Sequence, residues 1–106
     1  MKNALKSTSL ITSKLAARFK KIGKQPGGDP LVIAKFFNPC GSETWYVTEY
    51  DEAEGICFGF ITGIWEDEWG YFSLSELQSV KGKQLGLPIE RDKYFKEVRW
   101  SESGLF

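Results

Sequence analysis

The sequence contains no histidine and only two cysteines, Cys40 and Cys57, among its 106 residues. Without imidazole the chain lacks the side chain most used as a general base near neutral pH, and also the commonest metal ligand. Two cysteines outside a C-x-x-C pair make no zinc site, and with no histidine to activate them neither reads as a nucleophile. Long apolar runs are missing too. Nothing approaches the roughly 18 consecutive apolar residues that cross a bilayer. The first apolar run, "SLIT" (9–12), is cut off by Lys14 before it reaches the length of a secretory signal core. A soluble, cytoplasmic protein without membrane contact is expected. "PGGDP" (26–30) has neither the lysine nor the following helix of a phosphate-binding loop, and no D-x-D-x-D-G calcium loop occurs.

What is present is a core in the making. Hydrophobic residues are 42% of the chain and aromatics 15%, whereas disordered chains are poor in aromatics. At this length one domain, residues 1–106, is expected to bury roughly 60 to 70% of its unfolded surface. The net charge is zero but unevenly spread. Residues 1–36 hold eight Lys/Arg and one Asp, a net +7; residues 37–79 hold nine Asp/Glu and no Lys/Arg, a net −9; residues 80–106 hold six Lys/Arg and four Asp/Glu, a net +2. Such asymmetry points either to a charged partner or to segments that attract one another within the fold.

Hydrophobic spacing organises the chain. Ile11, Leu15, Phe19 and Ile22 recur every three or four residues, which predicts a helix over about 10–23 with Thr12 or Ser9 as its cap and Gly23 as its stop. Lys14, Arg18 and Lys21 flank that face, and Lys20 and Lys24 point elsewhere. These five cations are a solvated basic face, a nucleic-acid contact or a membrane-surface or transit segment, in that order of preference. "KQPGGDP" (24–30) reads as a linker. Three strands follow, "LVIAKFF" (31–37), "TWYVTEYD" (44–51) and "ICFGFITGI" (56–64), joined by short turns as an antiparallel meander. Strict alternation places Trp45, Val47 and Glu49 on one face of the second strand, and Tyr46, Thr48 and Tyr50 on the other. In the third strand Gly59 and Gly63 mark places where something approaches closely, most simply the helix or an aromatic ring. "GYFS" (70–73) is a short fourth strand, and "SLSE" (73–76) a capping box opening a helix over about 74–81 that Gly82 can end. In the segment after it, Pro88 suits a sheet edge, Arg91 can reach the acidic middle, and residues 96–106 form a tail.

The stretch that asks for a function is "GIWEDEWGYF" (63–72), where Glu66, Asp67 and Glu68 lie between two tryptophans on the loop before the fourth strand. Three adjacent acids on one loop cannot all turn towards one ion, so a carboxylate site holding Mg²⁺ for hydrolysis is the weakest reading. Exposed aromatics in a charged rim are common anchors of protein interfaces, which makes Trp65, Glu66, Asp67, Glu68, Trp69 and Tyr71 a candidate partner-binding set. The competing reading folds both tryptophans under the sheet as core. No catalytic residue, metal ligand or cofactor is assigned.

In order, "KFFNP", "TWYVTEYD", "FGFITG", "DEWGYFSLSEL" and "GLPIERDKYF" resemble the family of small bacterial proteins known as domain of unknown function 2958, over about Asp29 to Phe95. The resemblance implies a short bacterial protein of plasmids and other mobile elements, cytoplasmic and without a transit segment, and supplies no site residues to carry over. The hydrophobic spacing and turns set the expected fold as α+β: an antiparallel sheet of about four strands, the N-terminal helix packed on one face and a short helix after strand four. The expected role is a non-enzymatic accessory or protein-interaction module, with nucleic-acid binding through Lys14, Arg18, Lys20, Lys21 and Lys24 as the alternative.

Overall fold

A computed structural model describes residues 9–79 and 87–105. The basic amphipathic stretch forms helix α1 (Ser13–Ile22). Thr12 caps it by accepting a hydrogen bond from Leu15 N at 3.2 Å, and Gly23 ends it at φ 72°, donating its N–H to Phe19 O. Phe19 is buried, Leu15, Ala16 and Ile22 are partly so, and Leu10 and Ile11 tuck in ahead of the cap. The 3.6-residue spacing thus identifies the face that packs.

The strands are β1 (Leu31–Val32), β2 (Ala34–Phe37), β3 (Thr44–Asp51), β4 (Ile56–Thr62), β5 (Glu68–Ser73), β6 (Glu90–Arg91) and β7 (Val98–Arg99); helix α2 (Leu74–Ser79) follows β5. A five-stranded antiparallel sheet runs in the order β5-β4-β3-β2-β6, and β1 pairs with β7 in a separate two-stranded ribbon. The fold is α+β as expected, and β6 makes the sheet one strand wider than the four anticipated. The apolar run 31–37 is divided at Ile33, so that its first two residues serve the ribbon and its last four the sheet. One sheet face, carrying Ala34, Phe36, Trp45, Val47 and Cys57, meets α1, Leu74, Leu77 and Ile89 to form the core.

Alternation in β3 does not run through as the sequence suggested. Val47 pairs with Gly59, but the next residue of β4, Phe58, pairs with Glu49, so Thr48 is the extra residue of a β-bulge. The bulge moves Tyr50 onto the core side, where its ring meets Phe19 edge-on at 5.9 Å, and turns Glu49 away. Gly59 belongs to this irregularity. A Cβ there would run into the Tyr46 carbonyl, so what approaches closely is the neighbouring backbone and neither the helix nor a ring. Gly63 is similar: φ is 85°, and a Cβ would collide with the Ser42 carbonyl.

Residues 24–30 are held along their length. Gln25 N donates to Glu49 Oε2 at 2.8 Å, while the Gln25 amide donates to the Leu31 and Thr48 carbonyls and accepts from Leu31 N. Asp29 takes Ser101 N and Ser101 Oγ at 2.7 and 2.8 Å. These two bonds hold its carboxyl below the usual range. A 3-10 turn, Trp100–Glu102, closes over the second sheet face. The expected end of α2 near Gly82 lies outside the described residues. At its start Ser73 Oγ accepts from Glu76 N at 3.3 Å, half of the anticipated capping box.

Candidate functional site

The β4–β5 connection covers residues 63–67, two positions earlier than the strand limits 56–64 and 70–73 implied, because β4 ends at Thr62 and Glu68 and Trp69 already belong to β5, paired with Ile61 and Phe60. Positive φ at Gly63 turns the chain out of β4. Ser42 Oγ donates to Gly63 O at 3.0 Å, and Asp67 Oδ1 accepts Gly63 N at 3.4 Å. The loop is thus tied at its base while its tip, Ile64 and Trp65, stands in water. Trp65 is 92% exposed and Ile64 51%.

The two tryptophans of the motif therefore part company. Trp69 lies in an aromatic layer on the second sheet face, with ring centroids 5.9 Å from Phe58, 5.3 Å from Phe60 and 4.8 Å from Trp100. The core reading of both tryptophans thus fails at Trp65, which is exposed, while Trp69 is only partly buried. Tyr71, 4.7 Å from Phe58, sits at the rim of that layer with 72% of its surface exposed. The part of the layer that sequence reasoning missed is Trp100, brought over by the turn after β7. No local signal marks it, since its place depends on Asp29 holding Ser101 from 72 residues away.

Glu66, Asp67 and Glu68 are all exposed. Among the described residues no three acidic or cysteine side chains stand together as a metal site. Nor is there an activated thiol in the core: burial pushes the Cys57 thiol up to about 12, and Cys40 lies half-buried in the turn before β3.

The five cations of the alternative reading are spread over α1 and its exit. Arg18 is engaged by Glu97 through two hydrogen bonds of 2.8 Å, which raise the guanidinium's affinity for its proton and lower that of the carboxyl. Lys20 and Lys24 rim a cleft of about 340 Å³ that also has Glu49, Asp51 and Glu54 in its lining. Lys14 lines a different cleft with Arg18, and Lys21 is exposed. Arg91 does not turn to the acidic middle; it donates to the Leu10 carbonyl at 2.8 Å. The ion pairs among the described residues are Arg18–Glu97 and Lys35–Asp92. Both join the basic N-terminal segment to the C-terminal one, and neither uses an acid from residues 37–79.

Fold and surface together define a small α+β protein with one helix-covered sheet face and one aromatic face. The chain belongs to the family described as "Protein of unknown function (DUF2958)", whose sequence model matches residues 7–101. The resemblance noted from sequence over residues 29–95 thus extends through α1 and the Trp100 turn. No curated protein and no solved structure matches the chain.

Proposed function

We propose that this protein is a non-enzymatic interaction module that meets a partner protein with the β4–β5 end of its sheet. The observation that carries the reading is Trp65, 92% exposed at the tip of a loop tied at its base, with Ile64 beside it and Glu66, Asp67 and Glu68 around it. Large aromatic side chains set among charged residues are the usual anchors of binding energy, and their exposure costs solubility unless something covers them. Charge supports the same surface. The acids of residues 37–79 find no ion pair among the described residues, and those around the β4–β5 loop, Glu66, Asp67 and Glu68, are exposed, which suits a basic partner. The family resemblance adds to this reading a role as an accessory protein of a bacterial plasmid or other mobile element.

The test is a photo-crosslinking amino acid placed at position 65 or 71, with position 17 on the outer side of α1 as control, in the cells that make the protein. The partner identified from the cross-link is purified and its binding reconstituted. Trp65→Ala is expected to weaken that binding at least tenfold, or about 1.4 kcal/mol, with unchanged circular dichroism and melting temperature. Cross-links from position 17 but not from 65, or wild-type affinity in Trp65→Ala, would overturn the proposal.

A further inference from the structure

The two edges of the five-stranded sheet are built differently. At one, β6 is two residues long, and just beyond it Asp92 N–H closes onto Lys35 O at 2.9 Å. At the other, β5 runs six residues in unbroken register with β4, from Ile56↔Ser73 to Ile61↔Glu68. No other described strand pairs with its outer side. Proteins guard such edges with lysine, proline, bulges or short length, because a free row of N–H and C=O groups is a template for another strand. "EWGYFS" contains no lysine or proline, carries no bulge and is not short.

Resting on the interaction reading above, we infer that the partner binds by strand addition: an extended segment rich in Lys or Arg pairs with the free edge of β5. Charge selects the occupant. One end of β5 carries Glu66, Asp67 and Glu68. The other abuts the β3–β4 turn with Asp51, Glu52 and Glu54, since Ser73 pairs with Ile56 and Leu74 N donates to Gly55 O. Glu76 follows one turn into α2, and all of these acids are exposed. A second copy of β5 is the wrong occupant, because two-fold pairing of the edge on itself would bring residues 66–68 of each copy towards Glu76 of the other. Side-chain alternation adds detail. Residues of the added strand on the outer face fall beside Trp69 and Tyr71, where Arg or Lys can lie over the rings. The residue opposite Gly70 falls on the inner face. There a Cβ would meet only the Ile61 side chain, at 3.7 Å, so an apolar side chain of the partner has room to settle between Ile61 and Phe72.

The probe is a synthetic octapeptide of alternating Arg and Val, compared with its Glu–Val counterpart and with two N-methylated forms, one methylated at every Arg amide and one at every Val amide. The readouts are binding by fluorescence titration and amide hydrogen exchange. The Arg–Val peptide is expected to bind and to slow exchange in residues 68–73. One N-methylated form should bind at least tenfold more weakly while the other is tolerated, since a strand pairs through one edge only. The Glu–Val peptide should not bind, and Glu66→Lys with Glu68→Lys, both exposed changes, should weaken binding of the Arg–Val peptide at least tenfold. Equal binding of both methylated forms, protection outside β5, no binding at all, or a dimer that protects the same amides without peptide would each overturn strand addition. A partner that cross-links at position 65 and depends on Trp65 while leaving β5 unprotected would overturn it and leave the interaction reading standing. Loss of the cross-link with β5 protection intact would do the reverse.

Discussion

Replacing each tryptophan of the W-E-D-E-W stretch by alanine is expected to give two very different stabilities. Trp65 is 92% exposed, so its truncation removes little buried area and should change the free energy of unfolding by less than about 0.5 kcal/mol. Trp69 is partly buried and touches the rings of Phe58, Phe60 and Trp100 at centroid distances of 5.9, 5.3 and 4.8 Å. Each such pair contributes about 0.5–1.5 kcal/mol beyond the area it buries. Full burial would put Trp→Ala at about 3–5 kcal/mol, and the incomplete burial of Trp69 brings the expectation to about 2–3 kcal/mol. For a domain of this size that is a fall in melting temperature of roughly 8–15 °C. Urea titrations of the wild type and both variants, followed by far-ultraviolet circular dichroism, measure the two values with a common slope. If Trp69→Ala lies within 0.5 kcal/mol of wild type by that estimate, or Trp65→Ala costs as much as Trp69→Ala, the division of labour between the two residues is refuted.

Gly59→Ala forces a Cβ against the Tyr46 carbonyl and should cost about 2 kcal/mol or more, whereas Gly70→Ala meets only a side chain at an ordinary distance and should stay within about 0.5 kcal/mol, both read by chemical denaturation. Asp29 and Glu97 have carboxyls held below their usual range by Ser101 and Arg18, so their contribution is present at neutral pH and lost as pH falls through the depressed values. Asp29→Asn and Glu97→Gln should therefore flatten the acid limb of a plot of melting temperature against pH. Cys57 and Tyr50 are shifted the other way by burial, so stability should decline as pH climbs above the ordinary thiol value of about 8.5 towards the folded value of about 12. An aromatic disulfide reagent should accordingly titrate Cys40 in the native protein, and Cys57 only on unfolding. Labelled oligonucleotides should gain no anisotropy at near-physiological salt, because Arg18 is held by Glu97 and acids share the cleft of Lys20 and Lys24. Salt-sensitive binding lost in Lys14→Glu with Lys21→Glu would instead move function to the helix.

The parts of the fold that could be read in advance are those set by local periodicity. Helix α1, its cap at Thr12 and stop at Gly23, the meander of β2, β3 and β4, and the Ser73 cap all follow from neighbours in sequence. The misreadings have non-local causes. A one-residue bulge at Thr48 exchanges the faces of Glu49 and Tyr50, and nothing in "TWYVTEYD" announces it; Gly59, on the neighbouring strand, is its only sequence trace. The run 31–37 is apolar enough to read as one continuous strand, but its first two residues are claimed by β7, almost seventy positions later. At the candidate site the exposed aromatic tip and the acids were legible as a cluster. Which tryptophan faced water was not, because Trp69 is covered by a residue near the end of the chain.

The bonds that close the molecule join its beginning to its end: β1 to β7, Asp29 to Ser101, Arg18 to Glu97. The meander, by contrast, is built from strands adjacent in sequence. During synthesis the sheet from β2 to β5 can therefore assemble early, whereas the clasp must wait until residue 101 has emerged. Contacts of such long sequence separation are slow to find and seldom belong to the folding nucleus. Loosening the clasp at Asp29 or Glu97 should leave the rate of folding nearly untouched and hasten unfolding, so that the clasp governs how long the finished protein lasts rather than how quickly it forms.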